Sequence, residues 1–529
     1  MTRGAAFRPA LADVAVGLLC AGFALAYTLF VWQPTLASFA DDSVSYLVMA
    51  QVFSPYQPAS PAVAAAFARE AFYPPLFPLV LALSGAAHHP AWAHGVTALL
   101  LAASLPFAYL LGARWLGSRG AALAAVTCIA LLPSLWINAK GILSETLFCL
   151  LLAATFWLLE REGTARSAVV KLSLLMMALA LTRTAALPMV AGYGLWALTR
   201  RGTTLTARLR EMTPMLSAFA AYGLWVMVRP SLTEDEYARI ALERGQGFLE
   251  GPAGVGASLA AGLLRQANAL AEGWVGTLML FWVEGQPTRF ALCGLVGVLA
   301  LAGVVIRLRR GRADAWMMTA YLATLLAWPF HEQMGRFLFP AVPLLVLYTF
   351  VAAGAAMQLI GRRAAIAQAL LVALLLSLAV PAMAFIYQRS QAVGRVVEMT
   401  DWYRTPDLAR ARARSQIHLD LLDDMQAIRE LTGPEAKVMW VVPAYVALLA
   451  DRRGVAAPEA SLAPAAYREA VRQSGADYVF LSRYHPRDTI RDTAWQAGVR
   501  ALAADAKAIH TRAQDGGSVV TSILLKAVK

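Results

Sequence analysis

The sequence predicts a polytopic α-helical membrane protein of about eleven transmembrane helices, with interfacial helices in the first outer loop and a small C-terminal extracytoplasmic α/β domain. Its 529 residues are 59% hydrophobic and only 15% charged, whereas soluble domains carry about 25% charged residues. Apolar segments long enough to cross a bilayer recur through most of the chain. After about residue 388 charged residues become frequent and the apolar runs become short.

Eleven apolar segments are predicted to span the membrane, because a helix needs about 20 apolar residues to cross the hydrocarbon core. They are Leu11–Trp32, Ala91–Gly112, Gly120–Trp136, Ile142–Leu159, Ala168–Thr182, Thr184–Thr199, Thr213–Val228, Phe290–Ile306, Asp314–Phe330, Phe337–Met357 and Ala364–Tyr387. The first is too long for the apolar core of an ordinary signal peptide, so we interpret it as an uncleaved span.

Basic residues alternate between successive connections and orient the chain. Clusters at 114–119, 161–171, 200–210, 307–312 and 362–363 are cytoplasmic by the positive-inside rule, together with the N-terminus. The long connections 33–90 and 229–289 then lie outside, as does the C-terminal region. Much of the net charge of +13 is therefore a topological signal and does not indicate nucleic-acid binding.

We place the domain boundary at residue 388, so that 1–388 form the membrane domain and 389–529 the extracytoplasmic domain. In the smaller domain we predict strands and helices from the length and spacing of the apolar residues. The strands are Val438–Val442 and Tyr478–Leu481, and the helices are Leu419–Leu431 and Pro464–Gln473. In the first outer loop, Leu76–Ala87 is too short to span and is predicted to be re-entrant or interfacial.

Ionisable residues gather at the predicted outer ends of the spans. They are Asp41, Asp42, Lys140, Glu145, Arg183, Glu284, His331, Glu332 and Arg336. Charged groups at membrane depth are costly and usually functional. Because all of these residues are predicted to lie on the outer side of the membrane, we expect one polar site there.

Asp41 and Asp42 are the candidate catalytic groups. A carboxylate at the membrane edge can accept a proton from an acceptor hydroxyl. Adjacent carboxylates also suit a divalent cation, although we assign no metal to them and no certain cofactor. The alternative is a solvated loop acid or a helix N-cap. Tyr46 shares a face with Asp42 if a short helix forms here, and Tyr73 lies in an aromatic, proline-rich segment that could otherwise be an interfacial belt.

Arg183 and Arg336 are candidate phosphate ligands, because a guanidinium binds phosphate through a planar fork. The alternative for Arg183 is a side chain that merely reaches the interface. Glu145 could orient a sugar hydroxyl or pair with Lys140 without a ligand. His331 and Glu332 make a polar cluster beside Arg336, although such a histidine is more often structural.

The positions of the cysteines and the absence of several motifs count against other classes of protein. Cys20, Cys128, Cys149 and Cys293 all lie in apolar segments, which favours buried apolar residues over a disulfide network. The sequence has no Walker A, GxGxxG, HExxH or GxSxG motif, so an ATP-driven pump is unsupported.

In their order, several segments resemble the integral-membrane glycosyltransferases of the C-type (GT-C) fold, which use polyprenyl-phosphate sugars and include protein O-mannosyltransferases and the aminoarabinose transferase of lipid A. The resemblance covers roughly residues 1–360. The segments that carry it are Asp41-Asp42-Ser-Val-Ser-Tyr46, Phe72-Tyr73-Pro74-Pro75-Leu-Phe-Pro78, Ser144-Glu145-Thr-Leu-Phe148, Leu-Thr-Arg183-Thr-Ala-Ala-Leu and Arg336-Phe-Leu-Phe-Pro340-Ala-Val-Pro343.

This resemblance implies that Asp41 or Asp42 is the base and that sugar passes, with inversion, from polyprenyl phosphate to an outer glycan, lipid or protein acceptor. It implies that Arg336, with Arg183 or Lys140, holds the donor phosphate. Substrate contacts are expected from Tyr46, Tyr73, Glu145, His331 and Glu332. The expected location is the bacterial inner membrane, with membrane lipids as neighbours.

Two other classes compete with this interpretation. A transporter or flippase of a lipid-linked sugar would place polar residues near the midplane and often shows inverted repeats, neither of which is evident here. An O-antigen-ligase-like enzyme or a polymerase would need a large outer loop with several arginines and a histidine. The 229–289 connection contains Arg239, Arg244 and Arg265 but no histidine.

Overall fold

A computed structural model describes residues 11–33, 36, 41–162, 166–200, 204–230, 255–280, 286–328, 333–359, 361, 364–393, 407–483, 493–502, 506–514 and 519–527. The chain folds into two compact units. The first, here the membrane unit, comprises Met1–Trp32, His94–Val228 and Thr233–Ala392. The second, here the α/β unit, comprises Gln33–Ala93, Arg229–Leu232 and Val393–Lys529.

Helices dominate the described part of the chain. In order they are α1 (Leu11–Val31), α2 (Asp41–Phe53), α3 (Pro61–Glu70), α4 (Leu76–Leu83), α5 (Pro90–Leu116), α6 (Arg119–Ala130), α7 (Pro133–Ala139), α8 (Glu145–Glu162), α9 (Arg166–Ala180), α10 (Ala186–Thr199), α11 (Leu205–Val228), α12 (Val255–Met279), α13 (Pro287–Arg309), α14 (Ala313–Ala327), α15 (Met334–Leu338), α16 (Val342–Leu359), α17 (Ala364–Val393), α18 (Leu408–Leu431), α19 (Pro443–Tyr445), α20 (Pro464–Ser474) and α21 (Thr493–Leu502). A 3₁₀ turn, Phe339–Ala341, joins α15 to α16, and a π turn, Val446–Ala450, follows α19.

Each of the eleven predicted spans falls on one or more helices of the membrane unit, but the count of eleven is not confirmed. Among the described residues, five helices are long and apolar enough to cross a bilayer, or six if α6 and α7 form one bent span. Others, such as α9 and α10, are apolar but shorter. The segment Met334–Leu359 is 94% buried within the protein, whereas α1 is 17% buried. The first is therefore central to the unit and the second peripheral.

The bend between α6 and α7 has a local cause in Pro133. The two helix axes differ by 52°, because Pro133 has no N–H and the hydrogen-bond ladder stops before it. The carbonyl of Ala130 lies at this break and accepts hydrogen bonds from two side chains instead of from a helix N–H. The hydroxyl of Tyr27 donates to it at 2.6 Å and the indole N–H of Trp136 at 2.9 Å. Since an unsatisfied carbonyl at membrane depth is costly, these two aromatic residues stabilise the bend.

Glycines allow the closest approaches between helices of this unit. A Cβ on Gly303 of α13 would lie 2.1 Å from the carbonyl oxygen of Tyr348 in α16. A Cβ on Gly192 of α10 would lie 2.6 Å from the carbonyl oxygen of Trp316 in α14. Both distances are shorter than van der Waals contact, so only glycine fits. Small residues commonly set the spacing of membrane helices in this way.

A buried ion network lies where α8, α13 and α14 meet. The guanidinium of Arg307 contacts Asp314 and Glu160, each at 2.7 Å. The hydroxyl of Tyr348 donates to Asp314 at 2.7 Å, and Arg312 pairs with Glu160. The side chains of Arg307 and Asp314 are each only 6% exposed. These contacts fix the ends of three helices on the side that the basic residues mark as cytoplasmic.

Replacing Asp314 by Ala is expected to lower the free energy of unfolding by about 3–5 kcal/mol, because it removes the carboxylate that accepts two hydrogen bonds from the buried guanidinium of Arg307. Thermal unfolding of the detergent-purified protein measures this. The control is Asp13→Ala, whose ion-pair partner Arg119 is 51% exposed and can be hydrated when the carboxylate is lost. The Tyr109 hydroxyl, which also donates to Asp13 at 2.8 Å, loses only a neutral donor's hydrogen bond. A smaller loss for Asp314→Ala than for Asp13→Ala would contradict the assignment.

Helix α12 was not predicted, since the sequence analysis placed it inside the long outer connection 229–289. Its residues Trp274, Val275 and Leu278 are buried in the membrane unit. The indole N–H of Trp274 donates to the carbonyl of Cys293 at 2.9 Å. Gly273 meets the backbone of Gly335 so closely that a Cβ there would lie 2.9 Å from its nitrogen. Part of this connection is therefore packed in the membrane unit.

The α/β unit contains a five-stranded sheet of order β2-β1-β3-β5-β4. Strand β1 (Lys437–Trp440) pairs in parallel with β2 (Arg453–Ala456) and β3 (Tyr478–Ser482). Strands β4 (Lys507–Gln514) and β5 (Val519–Lys526) extend it in antiparallel fashion. The predicted strands at Val438–Val442 and Tyr478–Leu481 are confirmed as β1 and β3, and the two predicted helices as the end of α18 and α20.

The first-loop helices α2, α3 and α4 belong to this same unit. Helix α3 begins at an N-cap, where the Ser60 side chain accepts from the Val63 N–H at 3.3 Å. It packs against β2 and the π turn Val446–Ala450. Because β2 is an edge strand, α3 packs at that end of the sheet. The predicted segment Leu76–Ala87 forms α4 over Leu76–Leu83; its place at the interface stays a prediction.

A carboxylate network ties α18 to the other end of the sheet. Asp424 is buried and accepts from Arg512 at 2.7 Å, His510 at 3.1 Å and Ser522 at 2.6 Å. Burial lowers the pKa of Arg512, but the hydrogen bond and charge of Asp424, with neighbouring carboxylates, outweigh it and raise that pKa above its usual value. The network holds the long helix α18 on β4 and β5.

Candidate functional site

The membrane unit contains a buried acid between two arginines, which we call the Glu145 cluster (Glu145, Arg183, Arg336 and Ser144). Glu145 is the first residue of α8, Arg183 lies in the turn between α9 and α10, and Arg336 lies in α15. One carboxylate oxygen of Glu145 is 2.8 Å from Arg183 and the other is 2.5 Å from Arg336. Arg183 also donates to the Ser144 hydroxyl at 3.0 Å. Three segments distant in sequence thus converge on one carboxylate.

The exposure of these groups is unequal. The Glu145 side chain is 1% exposed, while those of Arg183 and Arg336 are 12% and 22% exposed. A buried carboxylate holds both guanidinium groups in place, and each guanidinium remains partly accessible. With two cations and one anion, the charges of these three residues sum to +1. This arrangement suits an anionic ligand, because the guanidinium forks are fixed before it arrives.

The backbone around Arg336 is also held in place. The hydroxyl of Tyr321 in α14 donates to the carbonyl of Phe337, the residue that follows Arg336. Pro340 and Pro343 come next, and the chain passes from α15 through the 3₁₀ turn to α16. The aromatic and proline residues of this segment therefore position the arginine.

Lys140, the third predicted phosphate ligand, lies after α7. Its ammonium donates to the carbonyl of Phe30 at 3.2 Å and sits 4.3 Å from the centre of the Phe30 ring. The residue is buried, at 4% exposure. These contacts tie α7 to the end of α1 and give Lys140 a structural role there.

The α/β unit brings together three more predicted residues, Asp42, Tyr46 and Tyr73, with Phe77, and we call these four the Asp42 cluster. The Tyr73 hydroxyl donates to the Asp42 carboxylate at 2.5 Å. The Tyr46 ring is buried and packs on the rings of Tyr73 and Phe77, with centroids 4.9 and 5.1 Å apart. Asp42 itself is partly exposed. The expected helix therefore forms, as α2, and Asp42 and Tyr46 lie on one face of it.

Two hydrogen bonds near this cluster were not predicted from the sequence. The Ser45 hydroxyl donates to the carboxylate of Glu70, at the end of α3. Arg229 donates to the carbonyl of Phe72 at 2.7 Å, although 157 residues separate them. Neither contact leaves a signal in the sequence, because each joins segments whose separation is unrelated to any helical or strand period.

Several predicted residues lie outside what the structure describes. His331, Glu332 and Glu284 are among them. Asp41 begins α2, but its side chain is likewise not described. Over the described residues, no group of three or more His, Cys, Asp or Glu side chains is placed to hold a metal ion. A divalent cation at Asp41 and Asp42 stays a prediction.

Comparisons with known proteins find similarity to solved structures. No protein-family model matches the chain, and no curated protein matches it. The chain is similar to the crystal structure of the oligosaccharyltransferase of Archaeoglobus fulgidus, which is tethered to an acceptor peptide. The match covers 98% of this chain and 74% of that one, at 12% identity and a TM-score of 0.41. At that score the match does not define a fold, so the interpretation rests on this chain's own side chains.

The fold and the two clusters define a class of protein. It is a multi-pass helical membrane protein with an α/β unit built in part from the loop that follows α1. Its membrane unit carries a buried, positively biased ion cluster, and its α/β unit carries a partly exposed carboxylate within an aromatic cluster.

Proposed function

We propose that this protein is a glycosyltransferase that moves a sugar from a polyprenyl-phosphate donor to an acceptor outside the cytoplasm, with inversion. The Glu145 cluster is the observation that carries the proposal. A polyprenyl chain is too apolar to leave the bilayer, so its phosphate must be met at the headgroup plane by groups on the membrane unit. Two guanidinium groups fixed by one buried carboxylate supply such a partner.

In the proposed reaction, Asp42 accepts a proton from the acceptor hydroxyl. The oxygen of that hydroxyl forms a bond to the anomeric carbon while the bond from that carbon to the donor phosphate oxygen breaks. Polyprenyl phosphate leaves with the electron pair, and Arg183 and Arg336 stabilise its charge. The Tyr73 hydroxyl orients the Asp42 carboxylate. Glu145 acts as a positioning residue for the arginines.

The test is turnover of a panel of polyprenyl-phosphate sugars by the purified protein, with crude membrane lipids and glycans as acceptors. Release of free polyprenyl phosphate from one donor, and transfer of its sugar, are the expected results. No release from any donor, together with movement of a lipid-linked sugar across vesicles, would support the transporter alternative.

Replacing Arg336 by Ala is expected to raise the donor KM by about 10–100-fold, because a charge-assisted hydrogen bond contributes roughly 1.5–3 kcal/mol. Arg310→Ala is the matched control, since Arg310 is an exposed residue at the predicted cytoplasmic end of α13. An unchanged donor KM in Arg336→Ala, with the protein folded, would count against the phosphate role.

A further inference from the structure

A polar cavity lies within the α/β unit, between α3 and the edge of the sheet. Its volume is about 240 Å³, and its polar lining comes from Arg69, Glu70, Lys437, Arg453 and Ser474. Drug-sized ligands occupy pockets of roughly 300–1,000 Å³. This cavity therefore suits one small group, such as a single sugar ring with its substituent, rather than an oligosaccharide.

Three cations converge on this cavity. Lys437 and Arg453 are register partners on the neighbouring parallel strands β1 and β2, so their side chains leave the same face of the sheet. Arg69 approaches from α3, which packs on β2. Like charges side by side on neighbouring strands are destabilising. The fold nevertheless places two of them in register and brings a third to the same cavity.

These three cations have no partners within the described protein. Over the described residues, none of the side chains of Arg69, Lys437 and Arg453 forms a hydrogen bond or an ion pair. The ammonium of Lys437 lies near Gly475, at the C-terminus of α20, where a cation is favoured by the helix dipole. The helix dipole therefore stabilises the charge of Lys437, whereas Arg69 and Arg453 have no such neighbour among the described residues.

The cavity also contains one carboxylate, that of Glu70. The Glu70 carboxylate accepts from the Ser45 hydroxyl, which fixes its orientation in the lining. With three cations and one carboxylate, the lining has a net charge of +2. A carboxylate beside cations suits a ligand that carries both an anionic group and a hydroxyl, since the carboxylate accepts from the hydroxyl.

We propose that this cavity binds a small sugar bearing a phosphate or carboxylate group. Arg69, Lys437 and Arg453 contact the anionic group, and Glu70 accepts from a sugar hydroxyl. Its use as an acceptor subsite rests on the proposed glycosyltransferase function. The binding itself does not depend on that function.

Lysine acetylation of the full-length protein in zwitterionic nanodiscs tests the binding at a named residue. The probes are glucose 6-phosphate and glucuronate, with glucose as the neutral control. We expect the anionic sugars to slow acetylation of Lys437 by about fivefold or more, as measured by mass spectrometry. Lys507 and Lys526, exposed residues of the same unit, should react at unchanged rates. Equal rates at Lys437 with and without anionic sugar would overturn the proposal.

Two arms separate the remaining explanations. The double variant Arg69→Gln/Arg453→Gln should lose the protection, while Arg472→Gln, on the exposed side of α20, should keep it. Protection that persists in the double variant would overturn the assignment of the site to these residues.

The second arm compares ligands. Protection by inorganic phosphate alone or by anionic lipid, without protection by the sugars, would assign the cavity to a free or headgroup phosphate and overturn the proposal that it binds a sugar. The Asp42→Asn variant should retain protection, which distinguishes this test from that of the catalytic proposal.

Discussion

Asparagine in place of Asp42 is expected to reduce sugar transfer by about 10²–10⁴-fold, which is the usual contribution of a positioned general base. The amide has nearly the size of the carboxylate but cannot take the proton of the acceptor. Because Asp42 is partly exposed at the surface of α2, the change should leave the unfolding temperature close to that of the wild type. The measurement is initial transfer rate at saturating donor, alongside thermal unfolding.

Three variants make this result specific. Asp41→Asn and the double Asp41→Asn/Asp42→Asn variant identify which carboxylate is the base. Tyr73→Phe removes the hydroxyl that holds Asp42 and should give a smaller, graded loss. Glu435→Gln changes an exposed carboxylate of the same unit and should have no effect. Wild-type rates of sugar transfer in both single Asn variants would contradict the assignment of the general base to Asp41 or Asp42.

Replacing Glu145 by Gln is expected to lower the free energy of unfolding by about 3–5 kcal/mol, because the change leaves two partly buried guanidinium groups without their shared counter-ion. The carboxylate is 1% exposed, so water cannot readily replace it. Thermal unfolding in detergent measures the loss. Donor affinity should fall as well, since Arg183 and Arg336 are no longer held together.

Glu211→Gln is the matched control for this substitution. Glu211 is also buried, but its partner Arg200 is 36% exposed and can be rehydrated. The loss should therefore be smaller. Combining Glu145→Gln with Arg336→Gln should cost less than the sum of the single changes, because the two residues share one interaction. Additive losses would show that Glu145 and Arg336 do not interact in the folded protein.

Local patterns predicted much of the fold. The long apolar segments all fall on helices, and Pro133, which the sequence places inside the predicted third span, produces the bend there. Two short apolar runs are β1 and β3. The strands β2, β4 and β5 were not predicted. Strand β2 has only four residues, β4 is an edge strand that mixes polar and apolar residues, and Thr521 and Ser522 interrupt the apolar residues of β5.

The candidate site was predicted as a set of residues but not as a set of contacts. From sequence, Glu145 had two possible roles, to orient a sugar hydroxyl or to pair with Lys140, five residues away. The structure pairs Glu145 with Arg183 and with Arg336, which is 191 residues distant. No periodicity connects such positions, because their proximity depends on how α8, α9 and α15 pack.

The sequence by itself determined that this chain is a multi-pass membrane protein with a polar C-terminal domain. It also indicated which charged residues, at the ends of the apolar segments, were candidates for a site. Those conclusions follow from hydrophobic length and charge, which are local properties. Only the tertiary structure decided that the loop after α1 folds with the C-terminal sheet, that one carboxylate contacts two arginines, and that three cations share a cavity beside α3. These depend on side chains brought together from distant segments by packing, which local properties do not encode.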